Sequence, residues 1–112
     1  MGQSTMSFKE LAIKLDKFDT DRKWTNLSPE DLAKSIILEC AELLEHFQRD
    51  ATMTKRGDKL LEKDKEEIGH EVADILIYLM KFCREMKIDI VDATVKKLEK
   101  LEKKYPIDYK KN

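Results

Sequence analysis

The sequence is short of the residues that break helices: three glycines and two prolines in 112 positions. Sheet proteins of this size need far more turn formers, so the scarcity points to an all-α chain. Cysteine is also scarce. Cys40 and Cys83 stand far apart, each flanked by apolar helical sequence and neither in a CxxC pattern, which argues against a thiolate metal site and reads as two reduced core thiols. An excess of charge of one sign is missing too. The 22 basic and 23 acidic residues leave a net charge of -1, so bulk electrostatics gives no reason to expect nucleic acid or a membrane surface as partner. No apolar run approaches the roughly 18 residues of a membrane span, and the first residues show no basic stretch leading into an apolar one. The expected address is the cytoplasm.

What the chain does have is charge, 40% of its residues, distributed as on helices with solvated faces. Its length suits one domain with a single modest core, residues 1–112. Four helices are expected. The first, about Ser7 to Phe18, repeats apolar residues raggedly at Phe8, Leu11, Ile13, Leu15 and Phe18. A second opens on "SPED", with Ser28 as N-cap, Pro29 in the first turn, and Glu30 and Asp31 facing the positive helix end; it should run to about Arg49. After a loop in "TMTKRGDK", a third helix covers roughly Leu60 to Met86, with a break expected near Gly69. Its apolar stripe is Val72, Ile75, Leu76, Leu79, Phe82, Cys83 and Met86. The fourth follows "KIDI" and carries Val91, Val95, Leu98 and Leu101 on one side and lysines on the rest, before Pro106 ends it.

Chemistry enters through two acidic pairs. Between Ile36 and Leu44 every residue is apolar except Glu39 and Glu42, which share one side of the second helix. Glu71 and Asp74 repeat the spacing on the third, with Tyr78 one turn beyond. Neither 35–48 nor 71–80 contains Lys or Arg. Buried carboxylates left ionised and unpaired cost several kcal/mol each, so two such pairs on adjacent antiparallel helices call for a cation. A hard divalent ion with oxygen ligands, Mg2+ above all, answers that need. Either pair alone would more often be solvated surface, and lysines from elsewhere offer a metal-free way to neutralise the acids. A di-iron bundle requires ExxH on two helices. Glu67 and His70 fit that spacing once, but Glu42 and His46 are one residue too far apart.

These residues resemble the MazG-like all-α nucleoside triphosphate pyrophosphohydrolases, whose hallmark is ExxE followed some tens of residues later by ExxD. Here it stands as "ECAE" at 39–42 and "EVAD" at 71–74. The blocks "RKWTNLSPEDLAKSIILECAELLEHFQ", "EEIGHEVADILIYLMKFCREMKIDI" and "KKLEKLEKKYP" are similar to the dCTP pyrophosphatase-like branch, over about residues 22–106. The resemblance implies hydrolysis of a nucleoside triphosphate to the monophosphate and pyrophosphate, in nucleotide-pool control or cleansing. It implies Mg2+, or Mn2+, held by Glu39, Glu42, Glu71 and Asp74, with Glu39 assigned to activate water.

Around that centre, Trp24 is the candidate to stack on the base, its alternative being a staple that packs the loop. Tyr78 is placed near the sugar, or else in the core with its hydroxyl bonded. Lys81 is assigned to a phosphate, or else snorkels at the surface. Relatives often carry a histidine just before helix two, near Ser28 here, and an asparagine where Leu101 stands, which leaves base and sugar preference open. Helix two is apolar nearly all round, so a four-helix bundle-like protomer is expected to pair into a homodimer or homotetramer. The competing reading is a non-catalytic helical interaction module or a nucleotide-binding protein.

Overall fold

The computed structural model describes residues 5–48 and 62–108, and among them it holds four α-helices and no strand. They are α1 (Phe8–Asp21), α2 (Pro29–Gln48), α3 (Glu62–Met86) and α4 (Ile90–Lys104). The expected loop at 52–59 and the first residues of the expected third helix lie outside the described residues.

Helix α1 starts on a capping box: the Ser7 hydroxyl accepts the Glu10 amide at 3.1 Å, and the Ser7 amide donates to Glu10 Oε1 at 2.8 Å. It continues three residues past Phe18. The ragged apolar spacing now has a cause. The stripe facing inward is Phe8, Ala12, Leu15 and Asp19, at strict helical spacing, whereas Ile13 is 59% and Phe18 45% exposed. One carboxylate thus occupies a core position.

Helix α2 begins as its "SPED" start predicts, with the Asp31 amide donating to the Ser28 hydroxyl at 3.3 Å. Helix α3 runs unbroken through Gly69. A lone glycine costs about 1 kcal/mol against alanine, too little to interrupt a helix of 25 residues that propagates cooperatively. Its C-terminus closes by the Ile88 amide donating to the Cys83 carbonyl (2.8 Å) and the Lys87 amide to that of Arg84 (3.2 Å), with Lys87 left-handed at φ 57°. Asp89 then caps α4 through the Asp92 amide at 2.9 Å, so the corner between α3 and α4 takes only three residues, 87–89.

The one extensive helix contact among the described residues is α2 against α3. They run antiparallel, since His46 near the end of α2 faces Glu71 near the start of α3, while Leu32 and Ser35 meet Tyr78 and Lys81 around one pocket at the other end. Among the described residues Leu32 and Met80 are the buried apolar core. Much apolar surface stays open: Ile37 and Leu38 are 68% and 62% exposed on α2, and Val91, Val95 and Leu98 are about half exposed on α4. Of the two thiols expected in the core, Cys83 is half-buried, and burial pushes it up from the ordinary thiol range. Cys40 is exposed, because it shares the outward face of α2 with Ile37 and Leu44. Among the described residues no helix is long and apolar enough to cross a membrane.

Candidate active site

The α2–α3 contact brings the acidic pairs together. Carboxylate oxygens of Glu39, Glu42 and Glu71 all lie within 4.8 Å of one another. Asp74 falls outside that tight trio and is exposed, but it stands close enough to Glu39 to hydrogen-bond to it. Removal from water pushes Glu39 above the usual carboxylate range, and the charges of Glu42, Asp74 and Glu71 push the same way. Glu42 is raised as well, by desolvation first and by Glu71 next. Two oxygens of this cluster, Glu39 Oε1 and Glu71 Oε1, are buried without a hydrogen-bond partner, as are Asp19 Oδ1 and Arg84 Nη2 outside it. Buried acceptors in such a state are rare in folded proteins.

All-oxygen donors, crowded negative charge and orphaned oxygens together fit a hard divalent cation. Glu42 and Asp74, both exposed, leave the cluster open on one side for substrate oxygens. His46, unassigned by its sequence spacing, is buried with Nε2 3.4 Å from Glu71 Oε2. It ties α2 to a carboxylate of α3 within the cluster. The signal for it was present: His46 follows Glu42 by one helical turn, on the same face.

A pocket of about 380 Å³ begins where the acids end, since its Ser35 precedes Glu39 by one turn and its Tyr78 follows Asp74 by one. Trp24, Tyr78 and Lys81, the three residues singled out for substrate, all line it. Trp24 is 49% exposed and held at its back by Phe18, edge to face with centroids 5.9 Å apart, so its ring is both supported and accessible. Lys81 does not snorkel. It is only 8% exposed, with Nζ 3.3 Å from Asp19 Oδ1 and 5.4 and 5.6 Å from the Trp24 and Tyr78 ring centroids. Asp19 is wholly buried and is also bonded by Arg84 at 2.9 Å. Sequence reasoning missed Asp19, whose only signal is its place in the stripe of Phe8, Ala12 and Leu15. A larger cavity of about 520 Å³ lies between α1, the end of α3 and the start of α4, is lined mainly by apolar residues such as Phe8, Met80 and Val91, and contains none of the clustered acids.

Comparison with known proteins adds to this geometry. The MazG-like family model matches residues 34–112, a span that includes both acidic pairs, Tyr78 and Lys81 and stops short of Trp24. The dCTP pyrophosphatase 1 of Mus musculus is 25% identical over 92 residues, which cover 81% of this chain and 54% of the relative. The enzyme of the same name from Bos taurus matches to the same extent. The chain spans about half the length of these curated relatives. The crystal structure of a pyrophosphatase from Archaeoglobus fulgidus superposes with a TM-score of 0.77 at 37% identity, covering 95% of this chain and 98% of that one.

Proposed function

The chain belongs to the MazG-like family, and on that premise we propose that it hydrolyses a nucleoside triphosphate to the monophosphate and pyrophosphate, dependent on Mg2+ or Mn2+. The observation that carries the reading is the carboxylate trio with two orphaned buried oxygens, set directly beside a pocket with a supported, half-open tryptophan. The names borne by its relatives, dCTP pyrophosphatase and pyrophosphatase, support the same reaction class.

Glu39, Glu42, Glu71 and Asp74 hold the cation in this scheme. A divalent ion bound there would supply charge neutralisation for the triphosphate and for the negative charge that develops on its oxygens. Glu39 serves as the proton acceptor for the attacking water, as a half-buried carboxylate of the cluster on the helix turn next to the pocket. Water adds at one phosphorus of the α–β bridge and gives its proton to Glu39, the bond from that phosphorus to the bridging oxygen breaks, and the bridging oxygen departs with the other half, so that the products are the monophosphate and pyrophosphate. Trp24 takes the base on its open face, and Tyr78, between the acids and that ring, lies at the level of the sugar. His46 fixes the orientation of Glu71. The physiological task we assign is nucleotide-pool control or cleansing.

We place the site in a homo-oligomer, a dimer or a tetramer. Among the described residues, Ile37, Leu38 and Leu44 on α2 and Val72 on α3 are each more than half exposed, apolar area that a second copy of the chain would take out of water.

The deciding experiment assays pyrophosphate release from a panel of standard and modified nucleoside triphosphates with Mg2+, with Mn2+ and with EDTA, beside Glu42→Gln and Glu71→Gln. Metal-dependent turnover by wild type, lost in both variants, is expected. Equal inactivity of wild type and variants on every compound would remove the enzyme reading.

A further inference from the structure

The buried ion pair beside the pocket has no part in holding a metal, and its geometry is specific. Asp19, fully buried, accepts from Arg84 Nη1 at 2.9 Å and pairs with Lys81 Nζ at 3.3 Å, while Arg84 also reaches Asp16 at 2.9 Å. The main-chain carbonyl of Asp19 accepts the Trp24 amide at 2.8 Å. One residue therefore fixes both the tryptophan ring and the ammonium that lines the same pocket, 5.4 Å from the ring centroid. Lys81 stands seven residues after Asp74, about 10 Å further along the helix, and is held at the Trp24 end of the pocket. Its charge is matched by Asp19, and that of Arg84 by Asp16. An ammonium so compensated has little free charge to offer a triphosphate, but it keeps N–H donors beyond the one that faces Asp19.

We propose that Lys81, positioned by Asp19, reads the nucleobase: its ammonium donates to a ring carbonyl oxygen of the base stacked on Trp24. The pocket then favours cytosine, uracil, thymine or guanine, which carry such an oxygen, over adenine, which does not. Asp19 is a positioning residue and acts through Lys81. This rests on the reading that a nucleotide occupies the pocket, and it moves Lys81 from the phosphate end of the substrate to the base end.

The test compares wild type, Lys81→Met, Lys81→Arg and Asp19→Asn, each with Mg2+, on dCTP, dTTP, dGTP and dATP and on inorganic tripolyphosphate. A hydrogen bond to a charged donor is worth roughly ten- to hundredfold. Lys81→Met is expected to raise KM by about that factor for the best carbonyl-bearing nucleotide, with kcat within about threefold, and to leave the KM for dATP nearly unchanged. Lys81→Arg should recover part of the discrimination. Asp19→Asn should lose discrimination in wild type but change nothing further in a Lys81→Met background. A uniform loss across all four bases and tripolyphosphate would make Lys81 a phosphate contact and overturn the proposal. So would unchanged discrimination in Lys81→Met, which keeps the test intact if Asp19→Asn fails to fold.

Quenching of the single tryptophan by the four deoxynucleoside monophosphates separates this idea from the hydrolytic reading. If no triphosphate is hydrolysed, base-selective quenching that vanishes in Lys81→Met still supports base reading by Lys81. Absence of selective quenching together with absence of turnover overturns it.

Discussion

Glu39 Oε1 and Glu71 Oε1 are buried acceptors facing other acceptors, and this conflict at single residues sets the pH behaviour. Glu39 and Glu42 have folded-state pKa values above the ordinary 4.5, so the metal-free fold binds protons more tightly than the unfolded chain. Its stability from these groups is highest at acid pH and falls as pH rises from about 4.5 through the raised values. Bound cation opposes that fall by taking the place of the protons. Thermal melts at pH 5 and pH 8 should show a larger Mg2+-induced rise in Tm at pH 8; a larger rise at pH 5 would speak against these carboxylates as ligands. Glu71→Gln removes one of the repelling charges, so the metal-free protein should melt no lower than wild type. The Mg2+ response should disappear and kcat fall by about 10²–10³ if charge stabilisation is lost. His46→Ala should keep the fold and weaken the Mg2+ dependence of activity about 10- to 100-fold, measured by titrating the metal at saturating nucleotide.

At the scale of the helix, ends and interiors obey local chemistry. Ser7, Ser28 and Asp89 each accept a first-turn amide of the helix that follows them. Asp89→Ala should therefore cost about 1 kcal/mol in denaturant unfolding. Gly69 sits in an unbroken helix with nothing within 4 Å of the position its Cβ would take. Gly69→Ala should add roughly 0.5–1 kcal/mol. Lys87 is a left-handed residue closing α3, and glycine there should be stabilising by a similar margin, about 1 kcal/mol. A loss of stability in Gly69→Ala would mean that a second subunit packs closely on that face. Of these caps Ser28 was readable, from "SPED", because a cap depends on neighbours three residues away; Ser7 and Asp89 were not read as caps, and α4 starts at Ile90, inside "KIDI" rather than after it. The expected break at Gly69 was wrong because cooperativity across α3 outweighs one weak residue.

The whole protomer is dominated by what it leaves uncovered. Among the described residues two apolar ones, Leu32 and Met80, are buried, while Ile37, Leu38, Leu44 and Val72 are each more than half exposed. Sedimentation velocity at micromolar concentration should report a dimer or larger species, and a monomer there would contradict the assembly. Leu38→Glu, on the outward face of α2, should shift wild-type oligomer toward monomer and lower thermal stability in a concentration-dependent way. Activity should fall with it, since α2 carries Glu39 and Glu42 on the neighbouring face.

The sequence by itself determined the helices and the acidic code. The 3-residue spacing in "ECAE" and "EVAD" places each pair on one face whatever the rest of the chain does, and an apolar setting without Lys or Arg already asks what neutralises the acids. Only the tertiary structure decided which groups surround that code. Asp19 meets Lys81 and Arg84 from more than sixty positions away in the chain, and His46 meets Glu71 across the α2–α3 contact. Such pairings depend on how helices dock, and no local periodicity records that. Asp19 in particular reads as an irregularity in an apolar stripe until α1 lies against α3, where its burial becomes the anchor of the pocket.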